Sequence, residues 1–144
     1  MLRDVAEAIG TTGLIGGQVM DLDLLGRTNG HRPVAHPTAR YLEAVAARKT
    51  GALITVSVAA GARLGGASAR EQRRLEAYGR AVGLAFQIID DVMDRDGVAA
   101  AYGVARARAR ASALVQRAQR ALRPLGARGE TLRQLADFVV TRST

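Results

Sequence analysis

The chain has 144 residues, of which 48% are hydrophobic and 24% are charged, with a formal net charge of +8 and a mean hydropathy of +0.01. This length and balance indicate one globular domain over residues 1–144 and exclude a disordered tail. Because the sequence contains no cysteine, a disulfide scaffold, a thiolate metal site and a thiol nucleophile are excluded as well.

The sequence shows neither a leader pattern nor a membrane-spanning pattern. Asp4 and Glu7 stand where a secretory signal peptide needs an apolar stretch. The longest uncharged apolar run, 51–62, is too short to cross a bilayer. We therefore expect a cytoplasmic protein without a membrane span.

Apolar positions recur at helical spacing along the whole chain, which predicts an all-α fold of antiparallel helices with short connections. Thr38 is expected to cap the second helix, and Ser68 and Glu71 form a capping box at the start of the third. The predicted helical segments are 2–25, 38–63, 68–94, 98–123 and 130–141.

The first segment is rich in glycine between residues 10 and 17. No strand precedes these glycines, so they do not form a dinucleotide-binding loop, and we expect them to allow close helix packing. Gln18 and Asp21 lie one helical turn apart beyond them. In the loop that follows, His31 and His36 lack partner ligands at zinc spacing and are interpreted as ordinary loop histidines.

The second segment contains Lys49, the only lysine of the chain, followed by Thr50. A lysine within a helix is usually a surface residue whose aliphatic stem covers apolar neighbours. Its alternative role is to neutralise a phosphate group, with the Thr50 hydroxyl as an additional donor.

The third segment carries a polar stripe on an otherwise apolar helix. Gln87, Asp90, Asp91 and Asp94 are spaced i, i+3, i+4 and i+7, which places them along one side of the helix. Three carboxylates within two turns repel each other, and burying them without partners is costly. A hard divalent cation, namely Mg²⁺, would relieve this repulsion through oxygen ligands.

The alternative interpretation of this stripe is a solvated acidic end of an amphipathic helix, with Asp94 and Asp96 exposed. Acidic residues near a helix C-terminus interact unfavourably with the helix dipole, which weakens this alternative.

The positive charge is concentrated at the C-terminal end of the chain. Residues 105–144 contain 9 basic and 2 acidic residues, whereas residues 1–104 contain 12 and 11. Nucleic-acid binding is therefore an alternative function, through a basic helix face formed by Arg106, Arg110, Arg117 and Arg120. Aromatic residues make up only 3% of the chain, so we favour a solvated outer face and expect no nucleic-acid partner.

Three motifs occur in order: Gly-Gly-Gln-x-x-Asp-Leu at 16–22, Lys-Thr-Gly-Ala-Leu at 49–53, and Phe-Gln-x-x-Asp-Asp-x-x-Asp at 86–94. Together they closely resemble the C-terminal half of the trans-isoprenyl diphosphate synthases, the polyprenyl synthetase family that includes farnesyl and geranylgeranyl diphosphate synthases. The third motif matches the second aspartate-rich motif of that family, and residues 132–142 resemble its last helix.

The resemblance implies a helical bundle equivalent to about half of the isoprenoid synthase fold, and it implies a prenyltransferase. The reaction of the family begins with ionisation of an allylic diphosphate to a carbocation. Isopentenyl diphosphate then attacks the cation, and a proton is lost. The implied partners are these two diphosphates, and the implied cofactor is Mg²⁺.

The resemblance also implies roles for individual residues. Lys49, Asp90 and Asp91 would be catalytic, with Lys49 balancing the charge of the departing diphosphate. The residues placed at the site are Asp90, Asp91 and Asp94 as metal ligands, Lys49, Thr50 and Gln87 as diphosphate contacts, and Gln18 and Asp21 as supporting residues.

The sequence departs from the family pattern in two places. The family's first aspartate-rich motif faces the second across the cavity, and neither it nor the basic residues that hold isopentenyl diphosphate have a counterpart here. In the family a lysine-bearing loop follows the second motif. Here residues 94–98 lead directly into the helix that contains Tyr102, and no lysine follows Lys49. We expect an internal deletion relative to the family.

Half of the metal cage is therefore expected, and three interpretations stay open. The chain is a truncated gene product, one piece of a split enzyme, or a non-catalytic subunit that modulates a complete synthase. An incomplete bundle would expose the apolar surface that faces the cavity. We therefore expect a homo-oligomer, or a hetero-oligomer with a complementary chain.

Overall fold

The computed structural model describes residues 1–24, 26 and 36–142, and within these residues the chain is helical without any strand. The predicted all-α fold is confirmed. The helices are α1 (Leu2–Ile9), α2 (Leu14–Leu24), α3 (Ala39–Ala46), a π-helical turn (Ala47–Gly51), α4 (Ala52–Leu64), α5 (Ala69–Asp94), α6 (Gly97–Tyr102), α7 (Val104–Leu122), a 3₁₀ segment (Arg123–Gly129) and α8 (Glu130–Thr141). None of the helices in the described ranges is both long enough and apolar enough to cross a membrane.

Helix α5 is the centre of the bundle and packs against α4, α7, α8 and the π turn. It has 26 residues, which corresponds to a length of about 39 Å. Its buried positions supply much of the core, and the largest fully buried side chains of the described chain are Tyr78, Ile88, Ile89 and Leu122. The Tyr78 hydroxyl donates to the Leu132 carbonyl at 2.7 Å, which ties α5 to α8, and burial raises the pKa of Tyr78 to about 12.

The predicted helix starts at Thr38 and Ser68 are confirmed. The Thr38 hydroxyl oxygen accepts from the Tyr41 amide at 3.2 Å. Ser68 and Glu71 form a reciprocal capping box at the start of α5. Hydrogen bonds from Ser68, followed by the contact with Arg128, lower the pKa of Glu71 to about 2.

The structure interrupts three of the five predicted segments. The first is divided into α1 and α2 at residues 10–13, the second contains the π turn, and the fourth is divided at Gly103. Gly103 adopts a φ of +88°, a conformation that glycine reaches without steric cost. Most of the predicted loop 26–37, including His31, lies outside the described residues.

The basic helix α7 is an outer helix. One side is buried, with Ala107, Ala111, Leu114 and Ala118 facing the core. On the other side, Arg110 makes a two-pronged ion pair with Glu43 of α3, with both N–O distances at 2.7 Å. This arginine therefore links α7 to α3, and the solvated outer face without a nucleic-acid partner stays a prediction for the helix.

Candidate functional site

A pocket of about 430 Å³ opens between α2, α3, the π turn, α5 and α6. One wall is apolar and includes Leu42, Val45 and Ala46. The polar side chains that line it are Asp21, Lys49, Gln87, Asp91, Asp94 and Asp96. Five of these six belong to the sequence motifs or to the polar stripe, so the fold brings together residues that lie up to 75 positions apart.

The π turn places Lys49 in the described lining of this pocket, whereas Thr50 lies outside that lining and contacts Gln87, which belongs to it. π turns are rare and are found frequently at functional sites. Lys49 Nζ donates to Asp21 Oδ2 at 2.7 Å, with both side chains about 30% exposed. Gly17 makes this pairing possible, since a Cβ at that position would lie 2.7 Å from Lys49 Cα. The expectation that a glycine of the first segment allows close packing is confirmed at this position.

A chain of hydrogen bonds joins the π turn to α5 and α6. The Thr50 hydroxyl donates to Gln87 Oε1 at 2.5 Å, and Gln87 Nε2 donates to Asp91 Oδ1 at 3.0 Å. The Val98 amide donates to Asp91 Oδ2 at 2.9 Å. Each of these polar groups has a partner, and the Gln87 amide is fixed in one orientation.

Asp91 is a buried carboxylate, with 7% of its surface exposed. Burial raises its pKa, and the hydrogen bonds from Gln87 and Val98 partly offset this shift. Gly97 lies directly against it: a Cβ at position 97 would overlap with Oδ2 and lie 2.6 Å from Cγ. Gly97 also adopts a φ of +47°, so both space and backbone conformation require glycine here.

The pocket concentrates negative charge. Asp21, Asp91, Asp94 and Asp96 line it together with a single lysine. Partial burial and the neighbouring carboxylates of Asp94 and Asp21 raise the pKa of Asp96. Such a site disfavours a free anion and favours a cation.

The donors fit Mg²⁺ in kind, because they are oxygen atoms without histidine or thiolate. Asp94 and Asp96 are exposed at the mouth of the pocket. Over the ranges that the structure covers, no three carboxylate or imidazole side chains are positioned to share one ion. Asp90, Asp91 and Asp94, the three metal ligands implied by the sequence motif, are therefore not gathered around one position.

Asp90 lies apart from the other acidic residues of the stripe and is not among the described residues that line the pocket. Its Oδ1 accepts from Arg142 Nη2, at the end of α8. Asp90 and Asp91 are adjacent on one helix, so their side chains diverge by about 100°. The stripe is therefore split into a pocket side and a side that contacts α8.

Of the predicted supporting residues, Asp21 reaches the site through Lys49. Gln18 is half-buried on α2 and is absent from the described lining of the pocket. Sequence reasoning missed the contributions of Asp96, Gly97 and Arg142. The glycine directly after an acidic helix end was the available signal for Gly97, whereas the contact of Arg142 depends on tertiary packing.

Residues 3–123 match the family model described as Polyprenyl synthetase. Over 99% of its length the chain is 34% identical to a dimethylallyltranstransferase of Fischerella ambigua, of which it covers 45%. It is 30% identical, again over 99% of its length, to a farnesyl diphosphate synthase of Geobacillus stearothermophilus, of which it covers 52%. The chain thus spans about half the length of these relatives.

A solved structure also matches nearly the whole chain with about half of its own length. An FPP/GFPP synthase of Zymomonas mobilis superposes with a TM-score of 0.84 and 32% identity, over 95% of this chain and 49% of that one. The alignment with the Fischerella protein extends over 162 positions, so at least 18 of them have no counterpart among the 144 residues here. This difference is consistent with the predicted internal deletion, and its location stays a prediction.

Proposed function

Because the chain belongs to the polyprenyl synthetase family, a prenyltransferase family of isoprenoid biosynthesis, we propose that its pocket binds the diphosphate group of an allylic substrate together with Mg²⁺. The observation that carries this proposal is the arrangement of Lys49, Thr50 and Gln87 beside the acidic residues of one pocket. The first three supply diphosphate contacts, and the acidic residues supply cation ligands.

Charge explains why the proposed binding depends on the cation. The pocket carries four carboxylates and one lysine, and a diphosphate adds further negative charge. Without divalent cations the two would repel each other. When bound, Mg²⁺ would supply charge neutralisation for the leaving diphosphate.

Asp94 is the proposed metal ligand with the most accessible carboxylate, since it is exposed at the pocket. Asp91 is proposed as a ligand on the inner side, where Gln87 and Val98 already orient both of its oxygens. Asp90 would join them only after releasing Arg142. The three ligands implied by the motif therefore contribute unequally.

Lys49 is the proposed catalytic cation. In the described structure its ammonium group is paired with Asp21, and it would exchange this partner for a diphosphate oxygen. An ammonium group held at the leaving group stabilises the negative charge that develops as the allylic bond breaks. The second N–H of the Gln87 amide would donate to the diphosphate, and the Thr50 hydroxyl would do so after releasing Gln87 Oε1.

The complete condensation with isopentenyl diphosphate is proposed to require a second chain. The chain spans about half of its relatives, and large apolar side chains are exposed on several helices, two of which carry a pair of them within one turn. On α2 these are Ile15 and Val19, and on α8 they are Leu135 and Phe138. Exposed apolar surface of this kind favours association. The partner is proposed to be another copy, or a chain equivalent to the part of the relatives that is not represented here.

A non-catalytic subunit remains the second candidate, and a specific observation favours it. Asp90 is engaged by Arg142, and both oxygens of Asp91 accept hydrogen bonds from the protein. In this case the same pocket would stabilise a partner synthase without turning over substrate. The expected cytoplasmic location stays a prediction under both functions.

Calorimetric titration with geranyl diphosphate tests the proposal directly. Binding is expected in the presence of Mg²⁺ and is expected to be lost when EDTA is added. Asp94→Asn should weaken binding by at least about tenfold, because it removes the accessible carboxylate. Asp137→Asn on α8 is the matched control and should bind like the natural sequence. Equal binding with and without Mg²⁺, or no binding in either condition, would refute the proposal.

A further inference from the structure

Arg142 ends the described chain in a position that links α8 to the acidic stripe of α5. We propose that Arg142 acts as an internal counter-cation, which holds Asp90 until a divalent cation with diphosphate takes its place. Occupancy of the site and docking of the end of α8 would then be coupled. This inference rests on the proposed function, in which Asp90, outside the described lining of the pocket, joins the cation site only after it releases Arg142.

The guanidinium of Arg142 makes three contacts with α5. Its Nη2 donates to Asp90 Oδ1 and, at 3.3 Å, to the Phe86 carbonyl. Its carbon lies 3.8 Å from the centre of the Phe86 ring, a cation–π arrangement. The side chain is only 19% exposed. A planar cation is thus held on two sides, which is more than a surface ion pair provides.

The contact also leaves one polar group without a partner. Within the described residues, Arg142 Nε is buried and makes no hydrogen bond. A buried unpaired donor reduces the stability of the arrangement. The docked state is therefore held by favourable contacts and opposed by a defined penalty, so a competing cation has less free energy to overcome.

The Arg142 contact adds an anchor at the C-terminal end of α8, a helix with few fully buried side chains. This helix buries Ala136 and Val139, while Leu135 and Phe138 are more than half exposed. A hydrogen bond from Tyr78 to Leu132 also ties it to α5, near the opposite end of the helix. Release of Arg142 would remove one anchor of the C-terminal turn, which Val139 also holds against the core, and would leave the N-terminal half of α8 attached.

Asp90 requires a positively charged partner both when Arg142 is docked and when Arg142 is released. It is half-buried, with 30% of its side chain exposed, and a partly buried carboxylate that loses its partner is destabilised. Exchange of Arg142 for a divalent cation preserves neutralisation at Asp90. Because coupling between two sites is reciprocal, weakening the arginine contact must strengthen cation binding, and cation binding must loosen α8.

Titration of the full chain with Mg²⁺ and inorganic pyrophosphate tests this coupling. Arg142→Gln removes the competing charge and should tighten binding about five- to tenfold. Arg142→Lys keeps a positive charge but lacks the planar guanidinium. Its affinity should lie between those of the natural chain and Arg142→Gln. Arg128→Gln is the matched control: it removes an arginine that pairs with Glu71, about 28 Å along α5 from Asp90, and should leave the affinity unchanged.

Hydrogen exchange supplies a readout that does not depend on affinity. In the natural sequence, saturation with Mg²⁺ and pyrophosphate should accelerate exchange of the last amides of α8, and Arg142→Gln should show fast exchange before any addition. Equal affinity for the natural chain and Arg142→Gln, or protection of α8 on binding, would overturn the proposal while leaving the proposed function intact. Absence of binding in both chains would refute the two together.

Discussion

Gly97 and the Asp91 carboxylate are packed so closely that a single added methyl group at position 97 would overlap with the carboxylate. Asp91 Oδ2 accepts from the amide of Val98, the residue after this glycine. This hydrogen bond therefore holds the short connection between α5 and α6 against the polar stripe of α5. Asp91 has a structural role in this chain as well as the proposed role at the site.

This relationship predicts a strong effect of Gly97→Ala. The substitution forces a Cβ against Asp91 and places alanine at a φ of +47°. We expect a loss of about 1–3 kcal/mol in the free energy of unfolding, measured by urea denaturation. Gly61→Ala is the control, because a Cβ on that residue of α4 would meet nothing within 4 Å. It should be neutral or stabilising, and an equal loss in both variants would contradict the account.

Lys49 should be essential for binding, whereas its neighbour should not. Lys49→Ala removes the ammonium group at the pocket and is expected to weaken Mg²⁺-dependent binding of geranyl diphosphate about 10- to 100-fold. Arg48→Ala removes an adjacent, exposed cation whose described contact is Met20 Sδ at 3.1 Å. Calorimetry should show little change for it. A similar loss in both variants would indicate a general charge effect.

The capping box predicts how stability depends on acid. Hydrogen bonds from Ser68 hold the pKa of Glu71 near 2, below the ordinary value of 4.5. The folded state binds the proton less readily than the unfolded state, so this contribution is fully present above about pH 4.5 and is lost as the pH falls toward 2. Glu71→Gln should flatten the stability curve in that window, measured by thermal unfolding.

Ser68→Ala provides the second arm of this test. It removes the hydroxyl that donates to Glu71 at 2.8 Å and leaves the donating backbone amide. Part of the acid dependence between pH 4.5 and 2 should therefore disappear. If neither substitution changed the slope in this window, the assigned origin of the low pKa would be wrong.

The exposed face of α8 predicts association. Leu135 and Phe138 are 51% and 60% exposed and lie one turn apart. Light scattering of the natural chain should show species larger than the monomer, and the double substitution Leu135→Gln and Phe138→Gln should shift the distribution toward the monomer. Leu64→Gln, at an exposed helix end on α4, should not. A monodisperse monomer for the natural chain would contradict this prediction.

Local sequence signals were sufficient for the helical class, for the starts of α3 and α5 and for the position of α5. These features depend on periodicity and capping, which act over a few residues. The π turn at Lys49 was not predicted, because the apolar spacing around it is that of a continuous helix. In the structure, Gly17 of α2 packs against the backbone of this turn, a contact between residues about 30 positions apart that local spacing does not encode.

The site was predicted only in part, because helical spacing places residues on a side of a helix but does not say what that side contacts. Helical spacing placed Gln87, Asp91 and Asp94 on one side, and they do line one pocket. The same spacing grouped Asp90 with them, whereas its partner Arg142 is 52 positions away. Which of two neighbouring carboxylates faces a pocket depends on the rotation of the helix in the bundle, and this is set by tertiary packing.

Nuclear magnetic resonance of the isotope-labelled chain tests the central claim most directly, because it locates the ligand. On addition of geranyl diphosphate and Mg²⁺, the account predicts amide shift changes at residues 47–51 and 87–98, and none without the cation. Shift changes confined to the second cavity, lined by Thr55, Val56, Leu84 and Leu114 among others, or no changes at all, would contradict the assignment of a cation-dependent diphosphate site.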